Sequence, residues 1–408
     1  MKTNNPISSS DLNAEHQIAV RLVIGILGVF IFGSIFDAQA VGLRLPNQDP
    51  EGIARGNAFV ATADNPSAIY YNPAGISQLD GDHFRVGLYL ISASTKFTSP
   101  ANVKAKTDVS FQPVPQLYYT HEIKNTDFTL GLGVYAPYGL GMDWENNSPF
   151  EPYTHKGKLL YATVNPVVAW QMHPTLSLAI GPTLNYSDAD LESLGFKFRG
   201  NAFAPGFIAG VLWKPHDKWS FGLKYHSATE LNYSGHSEYP IAAPLPTYSS
   251  TTAEARFPQF ITAGISYRPN EKWNFEFDVD WTDWDDLNEL IFQGTAFGSQ
   301  SFQFNYRSSW MYQFGVTRQL GNGWFVSAGY IFSENSSPDA DFNPLVPDSD
   351  LHLGSVGFGH HGKKWDWAVG YHFAYNDSRT VAGANNSAFN GIYKTFNNAF
   401  NLSVTYKF

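Results

Sequence analysis

The sequence predicts an all-β fold, a transmembrane antiparallel β-barrel of about fourteen strands closed around an N-terminal plug. Three observations predict it. Apolar and polar residues alternate with period two along most of the chain, as in strands with one apolar and one polar face. Polar breaks between these runs alternate in length, short then long, as barrel turns and loops do. Charged residues make up only 15% of the 408 residues and aromatics 16%, yet mean hydropathy lies slightly below zero. That combination excludes a bundle of membrane helices, whose spans need about 20 apolar residues each. The balance of 26 basic against 36 acidic residues argues against a nucleic-acid partner. The absence of cysteine removes disulfides, thiolate metal sites and cysteine nucleophiles.

Residues 1–40 have the layout of a secretory signal peptide. Arg21 precedes the fifteen uncharged residues Leu22 to Phe36, and Ala38-Gln39-Ala40 follows as a small-x-small cleavage signal. The run is short for a membrane anchor, which is the rival reading. Cleavage before Val41 removes two of the basic and three of the acidic residues, leaving 24 against 33. The expected destination is the outer membrane of a bacterial cell.

Residues 41–82 precede the first clear strand, lack alternation and carry Gly, Pro and Asn breaks. Fourteen strands enclose a lumen too wide for strand side chains to fill. This segment is therefore expected to plug it, with a periplasmic tail as the alternative. Residues 83–408 are expected to form the barrel. In the run Trp273, Phe275, Phe277, Val279 and Trp281, apolar residues alternate with Asn274, Glu276, Asp278, Asp280 and Thr282. Similar runs begin at Trp219, Trp324 and Trp365, and the chain ends on the alternating Phe400, Leu402, Val404, Tyr406 and Phe408. Short breaks fall near residues 124, 173, 216, 269, 322 and 362. Six tryptophans (170, 213, 219, 273, 324 and 365) adjoin these breaks, which marks one membrane interface. A large soluble sandwich would not need indoles at one height.

With those elements in place, the chain resembles the FadL-like outer-membrane transporters of long-chain fatty acids and aromatic hydrocarbons. The resemblance rests on Glu51-Gly52-Ile53-Ala54-Arg55-Gly56-Asn57-Ala58, on Asn72-Pro73-Ala74-Gly75, on Ala136-Pro137-Tyr138-Gly139-Leu140, on Trp281-Thr282-Asp283-Trp284 and on Pro347-Asp348-Ser349-Asp350, in that order, with terminal Phe408. It implies that Asn72 to Gly75 is a hatch signature, that outer loops capture an apolar ligand, and that release is sideways through a defect near the third strand. The C-terminal aromatic resembles the signal read by the barrel-assembly machinery. Expected partners are the apolar ligand, outer-membrane lipid and lipopolysaccharide, and the barrel is expected to be monomeric. No cofactor and no metal site is expected.

Physical reading supports a defect at the same place. In the second strand, Pro113 and Pro115 remove two ladder donors. In the third, Gly131 and Gly133 oppose Phe128, Leu130, Leu132 and Val134, which leaves room for a kink or ligand, or for close contact with the plug. Pro137 follows directly. A buried carboxylate needs a cation, and parity offers Lys224, Arg256 and Arg307 as lumen candidates. The family's pattern, by resemblance, favours Arg307 among the three. Tyr138, Leu140, Met142, Trp144 and Phe150 are apolar yet lie between strands, so they are expected either to capture ligand or to pack as a lid.

Passive uptake of hydrophobic small molecules, foremost long-chain fatty acids, is the expected function. Aromatic hydrocarbon uptake is the alternative. An outer-membrane lipid hydrolase or a general porin ranks below both. Neither a GxSxG elbow nor a phosphate loop is present.

Overall fold

The computed structural model describes residues 43–109, 111–240 and 248–408. The expected leader, 1–40, lies outside them. Alternation becomes wall. β1 (Asp82–Thr98), β2 (Gln112–Glu122) and β3 (Phe128–Tyr135) are followed by β4 (Lys156–His173), β5 (Leu176–Glu192) and β6 (Lys197–His216). β7 runs in two segments, Trp219–His226 and Thr229–Glu238, and β8 likewise, Tyr248–Phe257 and Phe260–Asn270. β9 (Trp273–Thr282), β10 (Ser309–Gly321), β11 (Trp324–Ser333), β12 (Leu351–His361), β13 (Trp365–Asn376) and β14 (Gly391–Lys407) complete the set. Each pairs antiparallel with its neighbours, and β1 closes on β14 from His83↔Lys407 to Thr98↔Ile392. Closure of β1 on β14 pairs the two terminal strands with each other, which spares both an open edge in the hydrocarbon, where an unpaired N–H would be costly.

The six short turns fall where the sequence places them. One of them, Gly321-Asn322-Gly323, has three successive positive φ values, which two glycines and an asparagine tolerate. The six tryptophans at that end point outward from the wall, as an interfacial belt requires. Inward positions mix small, polar and apolar residues. On β4, for example, Gly157, Leu159, Tyr161, Thr163, Asn165, Val167 and Ala169 face in.

The segment from Leu43 to Gly81 fills the lumen as a hatch. It carries two short helices, α1 (Pro50–Ala54) and α2 (Ala68–Tyr71), and a 3-10 turn, Pro73–Gln78. The Asn72 side chain caps that turn, accepting from the Ala74 N–H at 3.2 Å. Its amide donates to Val60 O at 2.8 Å and to Val211 O of β6 at 2.9 Å, tying hatch to wall. Pro73 fits the first helical position because its missing N–H has no partner there anyway. Ala74 is fully buried. Gly75 lies against Ala63, whose carbonyl oxygen would sit 2.2 Å from a Cβ.

Three inward carboxylates of one strand hold the hatch from the side. On β9, Glu276 accepts from Arg55 at 2.9 Å and from the Ala61 N–H at 2.7 Å. Asp278 accepts from the N–H groups of Phe59 and Val60 at 2.8 and 2.9 Å. Asp280 takes Arg44, with one contact at 2.7 Å. Below, Arg85 of β1 bonds Asp49 at 2.6 Å and Glu51 at 2.9 Å. Glu51 also meets His361 at 3.1 Å. That histidine, at the end of β12 ahead of the turn to β13, is therefore a hatch contact.

Candidate functional site

The wall is interrupted beside β3. The β2–β3 ladder runs from Glu122↔Thr129 to Leu117↔Val134 and goes no further. The β3–β4 ladder stops at Tyr135↔Thr163 and resumes with the short strand Leu140–Asp143, at Leu140↔Leu159. Five residue steps on one side thus face four on the other. The extra residue lets Ala136 to Gly139 turn inward. There the hatch pairs with them: Leu45 N–H donates to Pro137 O at 2.8 Å, and Gly139 N–H to Leu43 O at 2.9 Å. Beyond the break, a bridge between Thr107 and Trp144 restores contact.

The two prolines flank this break. Glu122 N–H donates toward β1, to Gly81, and Ile123 N–H toward β3, to Phe128. The β1–β2 register is unbroken from Asp82↔His121 to Ile91↔Gln112. Alternation then directs the odd positions of β2 toward β3. Pro113 and Pro115 therefore lack donors on the side from which β3 has departed. Gly131 and Gly133 face inward as expected, but their space belongs to the hatch. A Cβ at Gly131 would lie 2.9 Å from Ile69 and 3.0 Å from Ile76, and one at Gly133 2.8 Å from Ile69.

Two cavities lie above the hatch. One is apolar, about 110 Å³, with Leu140, Phe196, Phe198, Phe257 and Phe302 in its lining. The other, about 90 Å³, is lined on the opposite side by Tyr89, Ile91, Tyr306 and Asp348 among others. Leu43 and Val346 line both and form the septum. From the second cavity an apolar cluster, Leu45, Ile53, Tyr89, Ile91, Val114 and Ala399 with Ala136 against it, continues to the wall break. Asp348, in the loop before β12, has its carboxyl pushed up by burial, against the opposing effect of the Ser336 N–H and hydroxyl it accepts from at 2.8 and 2.7 Å.

The structure sorts the expected cations. Lys224 faces the lumen, buried, 4.6 Å from the Tyr70 ring and 4.9 Å from that of Phe260. It shares with Arg44 and Asp280 a space of about 10 Å³, room for roughly one water rather than a head group. Arg256 is on the outer face, paired with Asp286 at 3.2 Å. The reason is a parity reversal. Before Pro258-Gln259 the odd residues Ala253, Ala255 and Phe257 face in, whereas after it the even residues Phe260 and Thr262 do. Arg307 is likewise exposed, just ahead of β10, while Tyr306 beside it is buried. Arg256→Ala and Arg307→Ala are accordingly expected to leave uptake unchanged, as a transport assay in a deletion strain would check. The acids Asp190 and Glu192 at the outer end of β5 are matched by Arg199 at 3.0 Å and Lys197 at 2.5 Å.

Tyr138, Leu140, Met142, Trp144 and Phe150 are all buried, so they form no exposed capture patch. Tyr138 donates its hydroxyl to Pro258 O at 2.7 Å and packs on Tyr161 and Phe257. Trp144 and Phe150 meet edge to face at 4.8 Å beneath the outer loops, where Phe150 also packs on Phe97. Of the five, only Leu140 lines the apolar cavity. The residues that sequence reasoning missed are Leu43, Arg44, Val346 and the β9 carboxylates. The last were legible: three acids at spacing two, on the lumen parity of a spanning strand, require buried partners.

Residues 34–408 match the model of a family described as outer membrane protein transport protein (OMPP1/FadL/TodX). An outer membrane protein of Neisseria meningitidis serogroup B is 24% identical, covering 93% of this chain and 98% of that protein. The long-chain fatty acid transport protein of Salmonella typhi is 22% identical, over 78% and 84%. Among solved structures, a FadL homologue of Pseudomonas aeruginosa superposes with a TM-score of 0.81 at 18% identity, over 90% of this chain and 100% of that one. The toluene transporter TodX of Pseudomonas putida gives 0.70 at 17%, over 92% and 100%. With a closed fourteen-strand barrel, an internal hatch and this match over nearly its whole length, the chain belongs to the FadL/TodX family of outer-membrane transporters of hydrophobic substrates, which are channels rather than enzymes.

Proposed function

We propose that the substrates are long-chain fatty acids, taken up passively and released sideways into the membrane between β2 and β3. One observation carries this reading: an apolar line runs from the outer cavity, past Leu43 and Val346, through Tyr89, Ile91 and Val114, to the place where β3 leaves the wall. An acyl chain following it keeps apolar side chains beside it from cavity to wall, whereas a path through the hatch must break Arg44–Asp280, Arg55–Glu276 and Arg85–Asp49. Both the fatty acid and the toluene transporters named above are relatives, so kinship alone favours neither substrate.

Cavity size supports the second reading, uptake of monoaromatic hydrocarbons. The apolar cavity of about 110 Å³ is near the roughly 150 Å³ that holds benzene in an engineered core. Long chains need the two cavities joined, which means moving the septum. Leu43→Trp is therefore expected to abolish oleate uptake and to spare toluene entry into the outer cavity. Growth of a complemented deletion strain on oleate, against toluene-limited growth, decides between them. Growth on toluene alone would reject the fatty-acid reading.

A further inference from the structure

On the lipid-facing side, five strands share an unusual row. Trp219, Tyr267, Phe275, Val316 and Ala328 stand opposite one another in register from β7 to β11. One step further from the short turns come Ile265, Phe277, Phe314 and Tyr330. Aromatic rings surround a small-residue floor of Val316, Ala328, Gly315 and Gly329, and leave a groove of about 610 Å³ on the outer surface. The floor is glycine for a reason inside the barrel. A Cβ on Gly329 would sit 2.0 Å from the Arg55 carbonyl carbon, and one on Gly315 2.6 Å from Arg55 O. The wall is thus thinnest where the hatch leans on it, and the groove lies directly outside.

Depth and charge identify the occupant. The first row is two residues from Trp273, at the short-turn interface, or roughly 7 Å at strand rise. In the Trp273 row stands Arg318, on the outward parity of Phe314 and Val316. Its guanidinium lies 5.1 Å from the Trp273 ring and, among the described residues, pairs with no carboxylate. An outward cation at interface height, above an apolar groove that descends into the bilayer, matches a phosphate with its acyl chain attached. We propose that this groove binds one glycerophospholipid of the periplasmic leaflet, the side on which outer-membrane barrels carry their short turns, its phosphate on Arg318 and an acyl chain over Val316 and Ala328, supporting the wall against the hatch.

The test uses the full barrel purified in mild detergent. Two variants probe it: Arg318→Gln removes the phosphate contact and Ala328→Phe fills the groove. Wild-type barrel is expected to retain about one phospholipid after detergent exchange, by native mass spectrometry, and each variant to bind at least about tenfold more weakly. Added phosphatidylglycerol should raise the unfolding temperature of wild type, and diacylglycerol of the same chains should not. Equal retention by folded variants, or equal rescue by diacylglycerol, overturns the site. So does cross-linking through Ala328→Cys to a second copy, which would make the groove an oligomer interface.

Discussion

Deleting Gly139 in a chain that also carries Pro113→Thr and Pro115→Thr is expected to reduce uptake to the level of a strain lacking the protein. Between Tyr135 and Leu140 the chain takes five steps where β4 takes four, from Thr163 to Leu159. Removing one residue restores a common count, and both flanking residues keep their inward parity. A straightened β3 then faces β2 beyond Leu117. There the threonines return the N–H groups that proline denies to the ladder. The prolines alone should not matter, so Pro113→Thr with Pro115→Thr is expected to transport normally while β3 still turns inward. Gly139 also bonds Leu43, which makes hatch damage a possible side effect. Ion conductance separates the two: a closed wall over an intact hatch stays electrically silent. Full uptake by a properly assembled triple variant would show that the exit lies elsewhere.

Asp280→Ala is expected to be the most damaging single change at the hatch, worse than Arg44→Ala. Removing one partner of a buried ion pair leaves an uncompensated charge, at about 3–5 kcal/mol. Arg44→Ala leaves Asp280 with Thr262 at 2.6 Å and with Lys224 sharing its cavity. Asp280→Ala strands two cations together, Arg44 and Lys224, between Phe260 and Tyr70. Its readouts are a lowered unfolding temperature in detergent and a rise in single-channel conductance, as the segment from Leu43 to Asn47 comes free. Adding Arg44→Leu to the Asp280 variant should recover part of the loss. Strict additivity of the two changes in a double-mutant cycle would refute the coupling.

Strands, short turns and the tryptophan belt were legible because they follow from local rules. A residue's side of a strand is fixed by counting in twos, and an indole beside a turn sits at the interface wherever the rest of the chain goes. Counting fails once the strand is broken. The reversal at Pro258-Gln259 sends Arg256 outward, and the irregular stretch ahead of β10 does the same to Arg307. Likewise the position of Tyr138, Leu140, Met142, Trp144 and Phe150 between strands left ligand capture and packing as a lid both open, and only the fold shows all five buried.

By itself the sequence determined a closed fourteen-strand wall in an outer membrane and the segment that fills it. Period two, together with the need to satisfy every backbone group in hydrocarbon, permits little else. Only the tertiary structure decided that Gly131 and Gly133 serve the hatch, that Arg44 belongs to Asp280, that Leu43 and Val346 divide the lumen, and that one surplus residue turns β3 inward. Those facts depend on segments far apart in the chain meeting across the lumen. Partners at such separations are set by packing, which no local period encodes.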